Sequence, residues 1–269
     1  MSQFQVVDET LALNFSCPLG PVEANEECNW QENEFEKWLS LDGRRHGICY
    51  LKTSTLKAEA FYWQGELHGP SIYYHAKGEK LSQTYFVHGQ RWGLAQFWYP
   101  SGVLAKQLHY QEDKLEGEQR YYSANSQLKT VVTYKNGKAC GLLRHYHSED
   151  RLAREAMFEN GLKEGHERTW YLNGQPQSER FFAKGMPQGY SLTWYESGQI
   201  AEEMEYLNPS WKFNYKRFRE NGELIAEGVS HDDGSFEEKK YASSGNTLIQ
   251  RRVCLRNEQG KVISERLFG

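Results

Sequence analysis

Three sets of residues in this sequence have the types and spacing to do chemistry. His145 and His147 flank Tyr146, so on a strand both imidazoles would point to one side, as two ligands of a metal site do. Paired glycines recur, as in Gly89-Gln90-Arg91-Trp92-Gly93, and short glycine loops can offer backbone amides to a phosphate. Arg120, Arg144 and Arg168 stand 24 residues apart, each two places before an aromatic residue: Tyr122, Tyr146 and Trp170. Such a basic and aromatic ladder suits an anionic partner.

The surroundings do not complete the first two sets. No third histidine or carboxylate is placed to close a site on His145 and His147, and Tyr121 and Phe97 stand where His145 does one and two periods earlier. A metal centre is therefore not expected. No helix follows the glycine loops, so they read as turns rather than phosphate cradles. Glu202-Glu203 and Asp232-Asp233 read as solvated acids, and the five cysteines are scattered without a Cys-x-x-Cys pair, the pattern of reduced thiols. The sequence thus points to a chain that is not an enzyme, with no cofactor and no small-molecule substrate.

The elements that carry these residues are set by a repeat. Stepping by 24 from Gly93 reaches Gly69, Gly117, Gly141, Gly165 and Gly189, and a second series holds Gly65, Gly89, Gly137, Gly161 and Gly185, with Asp113 as its one substitution. Aromatic residues keep the same period at Trp98, Tyr122, Tyr146, Trp170 and Trp194, and again at Tyr62, Phe86, Tyr110, Tyr134, Phe158, Phe182 and Tyr206. Between them, apolar residues alternate, as at Leu104, Leu108 and Tyr110, which is the period of a strand. Turn residues every ten to fourteen positions would break a helix. Each 24-residue block is read as a β-hairpin with its tip at Pro100-Ser101-Gly102 or its equivalent, joined to the next block by a Gly-x-x-x-Gly turn. Isolated hairpins are marginal in water, so the blocks must pair into one continuous antiparallel sheet. Along it, the Trp98 and Tyr110 series would form stacked aromatic ladders.

The ends differ. Residues 1–38 carry eight acids against Lys37 alone, which leaves the rest of the chain weakly basic within a net charge of -4. Asn33 to Leu39 reads as a helical turn or a first edge strand. Phe213 stands where a loop glycine belongs, and Pro209-Ser210-Trp211 replaces the usual loop. The expected organisation is an acidic leader at 1–40, a regular array at 41–206 and a degenerate cap at 207–269. No apolar run is long enough for a membrane helix, and the N-terminus lacks the basic region of a secretory signal, so a cytoplasmic protein is expected.

The unit Gly-x-x-x-Gly-x-x-x-x-aromatic-aromatic-x-x-x-Gly-x-Leu resembles the MORN repeat, in its bacterial variant form, most closely at 89–110, 137–158 and 185–206. That resemblance implies an elongated, all-β antiparallel meander or solenoid of about eight 24-residue hairpins. It also implies a scaffolding or interaction module. Stand-alone members of this kind are often labelled antitoxin components, or lipid-kinase-like by repeat similarity alone. The chain carries no glycine-rich ATP loop with partner Lys and Asp motifs. The functional expectation is protein binding along one face by Trp98, Tyr122, Tyr146, Trp170 and Trp194, with Arg120, Arg144 and Arg168 receiving an acidic segment of a partner or the chain's own acidic leader. Arg91 and Trp92, particular to their copy, are added to that set. Peripheral membrane binding and an antitoxin-type partnership are the alternatives. Nucleic acid is not expected, because no basic stripe approaches what a phosphate backbone needs.

Overall fold

The computed structural model describes residues 28–148, 150–207, 212–243 and 247–268. Most of the acidic leader, the Pro209-Ser210-Trp211 loop and Gly245 lie outside the described residues. Among those described, every regular element is a strand, in two compact units that divide between Ser126 and Gln127.

The first unit contains β1 (Asn29–Glu32), β2 (Glu36–Leu41), β3 (Arg44–Lys52), β4 (Leu56–Trp63), β5 (Glu66–His75), β6 (Lys80–Val87), β7 (Gln90–Arg91), β8 (Gly93–Trp98), β9 (Leu104–Gln111), β10 (Lys114–Leu115) and β11 (Gly117–Tyr122). The second contains β12 (Leu128–Lys135), β13 (Lys138–Ser148), β14 (Arg151–Glu159), β15 (Leu162–Trp170), β16 (Pro176–Ala183), β17 (Met186–Trp194), β18 (Ile200–Tyr206), β19 (Phe213–Phe218), β20 (Leu224–Ser230), β21 (Ser235–Tyr241), β22 (Leu248–Arg256) and β23 (Val262–Phe268). Within each unit the strands form an antiparallel meander in chain order. Two of the strands of the first unit are split in two, so β7 and β8 both pair with β6, and β10 and β11 with β9. Of Asn33 to Leu39, residues 33–35 form a turn and 36–39 are strand: Asn33 Oδ1 accepts the Phe35 and Glu36 amides at 2.9 and 2.8 Å and turns β1 into β2.

Two kinds of turn alternate. On one edge, consecutive residues such as Gln64 and Gly65 have φ of 49° and 95°, the signature of a two-residue type I′ hairpin turn. On the other, Gly102 N–H donates to the Tyr99 carbonyl and Tyr99 N–H to the Val103 carbonyl, both at 2.8 Å, with Gly102 at φ 81°. That is a three-residue loop, a type I turn followed by a left-handed residue. The tip at Pro100-Ser101-Gly102 is as the sequence indicates.

The Gly-x-x-x-Gly segment is not a single turn, however. Only its first glycine turns the chain, while the second lies inside the following strand. Tyr62 pairs with Leu67 and Ala60 with Ser71, so Phe61 alone faces three residues, His68, Gly69 and Pro70, across a bulge. Gly69 has φ 104°, and a Cβ there would also sit 3.2 Å from the Phe61 Cβ, so a side chain at this position would be strained. The bulges draw successive type I′ turns together. Gly89 N–H donates to the Leu67 carbonyl at 2.8 Å and Gly185 N–H to the Lys163 carbonyl at 2.9 Å. A flat sheet would hold such turns two strand spacings apart, about 9–10 Å.

In each unit one face carries a narrow line of buried residues, Ser71, Ala95, Leu108 and Gln119 in the first and Ala156, Glu167 and Ser191 in the second. Fully buried Gln119 takes the His109 amide at 2.7 Å and gives its own amide to the Glu116 and Gly117 carbonyls, satisfying the bulge beside it. We call this the inner face. The larger apolar cluster is at Tyr215, Ala226 and Phe236 in the second unit.

Candidate interaction face

Strand alternation places the arginine series and the Trp98 series on the other, outer face. Trp98, Tyr122, Trp170 and Trp194 each end a strand beside a three-residue loop, and Tyr146 lies within β13; all five are half-buried. The backbone at Tyr122, Trp170 and Trp194 is pinned by a register that sequence reasoning missed, one position further on. Tyr99 donates its hydroxyl to the Tyr122 carbonyl at 2.9 Å, Tyr171 to that of Trp194 at 2.7 Å, and Tyr195 to that of Phe218 at 2.8 Å. His147 holds the same register, and its Nε2–H reaches the Trp170 carbonyl at 2.8 Å.

The expected stacked ladder is absent among the described residues, since no ring pair joins Trp98 to Tyr122, or Tyr146, Trp170 and Trp194 to one another. Equivalent residues are two strands apart, about 9–10 Å, beyond the roughly 4.5–7 Å of an aromatic pair. The space above Trp98 is taken instead by Lys80 Nζ, 5.3 Å from the ring centroid.

The arginines are exposed but not bare. Arg120 lies 2.6 Å from Glu118, Arg144 3.1 Å from Glu155, and Arg168 2.8 Å from Glu179. The strands between the arginine strands carry the acids, so pairing runs Arg144, Glu155, Arg168, Glu179 along the second unit. From β5 to β9 of the first unit the corresponding positions are Ile72, Gln83, Gln96 and Gln107, all uncharged. The positive charge on which an acidic partner segment was expected to settle is thus matched within the sheet.

Arg91 also has a structural task. Its Nε lies 2.8 Å from Asp113, and its guanidinium covers the Tyr110 ring at 4.3 Å. Trp92 lines an open hollow of about 390 Å³ with His109, Tyr110, Glu116 and Glu118. His145 Nδ1 faces Thr130 Oγ1 at 2.9 Å rather than the ring of His147. Burial, followed by the charges of Lys129, His147 and Arg154, holds the His145 pKa below its usual range. No cluster of three potential metal ligands occurs among the described residues.

A second row on the outer face, nearer the type I′ turns, was not singled out in the sequence. Cross-strand pairs Leu142–Met157 and His166–Phe181 lead to Tyr190, which pairs with Glu205. Met157, Phe181 and Tyr190 are 43, 37 and 72 % exposed. The His166 and Phe181 rings meet edge to face at 5.2 Å. Beyond Tyr190 the surface opens into a groove of about 490 Å³ spanning β17 to β20. The signal in the sequence was the 24-residue series through Met157 and Phe181, hidden because its other members include His109, Thr133 and Glu205.

Residues 93–112, 115–136, 163–184 and 187–208 match the family model described as MORN repeat variant. The 137–158 copy, which resembles the repeat closely by eye, lies outside the matched segments; it carries Asp150 where glycine is usual at the loop. No curated protein matches the chain.

Proposed function

The chain is a MORN-repeat protein, and on that footing we propose that it is a non-enzymatic interaction module that binds a protein partner along its outer face. The observation that carries this reading is the exposed row of Met157, Phe181 and Tyr190, three large apolar side chains held on neighbouring hairpins beside a row of internally matched charges. Apolar groups in line on a rigid sheet supply contact area that leaves water when a partner covers it. The half-buried Trp170 and Trp194 flank this strip as secondary contacts. Their backbone is fixed, so a partner would meet a preformed surface.

The test is affinity capture from cells with the intact chain and with a Met157→Glu/Phe181→Glu variant of unchanged unfolding midpoint. A protein retained by the wild type and lost by the variant supports the reading. Capture unaffected by the variant overturns it, as does a wild type that recovers no protein yet pellets with anionic vesicles. No described helix is long and apolar enough to cross a membrane.

A further inference from the structure

The groove at the end of the exposed row has a chemistry of its own. Directly opposed residues on antiparallel strands share a face. Leu192 opposes Glu203, Glu203 opposes Lys216, and Lys216 opposes Glu227, while Tyr190 and Asn214 both oppose Glu205. The floor is mostly apolar, with Leu192 and Val229 at its two sides. Tyr190 forms a wall and gives its hydroxyl to Glu205, whose carboxylate also accepts Asn214 Nδ2 at 3.1 Å.

The charge distribution separates this groove from the rest of the outer face. Arg144 with Glu155 and Arg168 with Glu179 are matched one to one. In the groove, Glu203 and Glu205 form no ion pair among the described residues, and Glu227 is held by the Tyr241 hydroxyl at 2.7 Å and more distantly by Lys239 at 3.8 Å. Neutral donors orient the Glu205 carboxylate without cancelling its charge. Lys216 is the one cation in the lining, and it too makes no ion pair among the described residues.

We propose that this groove docks a basic, apolar-bearing segment of a partner protein, with a lysine or arginine held by Glu203 and Glu205 against Tyr190 and an apolar neighbour on Leu192 and Val229. The proposal rests on the protein-interaction reading above and adds the partner's chemistry. Three features of one small surface call for that occupant. Two carboxylates lack a cation, a tyrosine ring is exposed beside them, and an apolar floor can receive an aliphatic stem. An anionic segment or an anionic lipid surface would meet net like charge here.

The test is fluorescence anisotropy of the full chain with a labelled peptide of alternating lysine and leucine, and with the same peptide carrying glutamate for lysine. The lysine peptide is expected to bind at least about tenfold more tightly than the glutamate peptide, with affinity falling as salt rises. Glu203→Gln/Glu205→Gln and Tyr190→Ala are each expected to weaken it about tenfold, whereas Glu79→Gln in the first unit leaves it unchanged. Equal affinity for the two peptides, or full affinity in the double variant, overturns the proposal. The double variant also separates the two readings. If it still captures the cellular partner at full strength, the groove assignment falls and the interaction reading stands. If the wild type captures no protein, that reading falls with it.

Discussion

Arg91 Nε lies 2.8 Å from Asp113 Oδ1, and the same oxygen accepts the Arg91 backbone amide at 3.0 Å. Asp113 occupies the turn position that glycine holds in the other copies, with φ of 64°, and Arg91 belongs to the strand one repeat earlier. The hydrogen bond from Arg91 holds the Asp113 carboxyl below the usual carboxylate range. Two departures from the repeat therefore explain each other. Arg91→Ala should cost about 0.5–1 kcal/mol, the scale of an exposed ion pair. In an Asp113→Gly background the same substitution should cost less, because glycine accepts the left-handed conformation without help. A double-mutant cycle in urea measures the coupling, and additive costs would refute it.

Gly228 supports the end of the second unit. A Cβ there would lie 2.3 Å from Tyr215 Cε1 and 2.6 Å from Phe236 Cζ, so both rings must move to admit even a methyl group. Gly228→Ala should destabilise this unit by about 1–3 kcal/mol, as overpacking does. The urea midpoint is the readout, and a neutral substitution would show that the rings do not rest on this glycine.

Half-buried Tyr171 and exposed Tyr190 have contrasting duties. Tyr171→Phe removes the donor to the Trp194 carbonyl and should cost about 1 kcal/mol in stability. Tyr190→Phe should leave stability within about 0.5 kcal/mol, as is usual for surface changes. Thermal unfolding of the two variants side by side distinguishes a pin of the array from a residue free to meet a partner.

Buried His68 predicts a pH dependence with a definite sign. Its Nδ1 faces the His88 amide at 3.4 Å, the His88 ring lies 5.1 Å away, and Glu66 is the nearby acid. Burial, then the His88 charge, lowers its pKa from the ordinary 6.5, with Glu66 acting weakly the other way. The unfolded chain then takes up a proton at higher pH than the folded one. Stability of the first unit should be fully present above about pH 6.5 and be lost as pH falls from there through the depressed folded value. His68→Asn keeps an acceptor at the Nδ1 position and should flatten that slope in a urea series across pH 5–7.5.

Glu167 should act in a lower window. Burial raises its carboxyl, but hydrogen bonding from Lys163 and the charge of Arg154 outweigh this, so its pKa lies below the ordinary 4.5. The second unit should hold this stabilisation above about pH 4.5 and lose it as pH falls through the lower folded value. Glu167→Gln should remove that acid-side slope.

The all-β hairpin array, the three-residue tips and the outer-face placement of Arg144 and Trp170 were legible because each repeats at 24 residues. The partners of those residues were not, because a single series samples only every second strand. Glu179 stands eleven positions after Arg168, and the two meet only when the chain is reflected about the loop at Gly174. The second glycine of each pair was misplaced for a related reason. A positive φ is required both in a turn and in a bulge, so residue type alone did not separate Gly89 from Gly93. Tyr190 was overlooked because its series elsewhere holds Leu94, Glu118 and Asn214, and exposure depends on neighbours across the sheet rather than on spacing along the chain.

The hydrogen bonds that stack the two-residue turns, and those from the Tyr99 series, each span about one repeat. Within each unit, the hairpins so joined are fastened to the one before by the same few groups, a turn amide and a tyrosine hydroxyl, whatever their surface carries. A gene for such a chain can gain or lose a 24-residue block by in-frame recombination and recreate the junction it interrupted. Each block can then drift independently on its outer side, which is how one ancestral hairpin could come to carry glutamines in Gln83 and Gln96 and an arginine–glutamate row at Arg144 and Glu155.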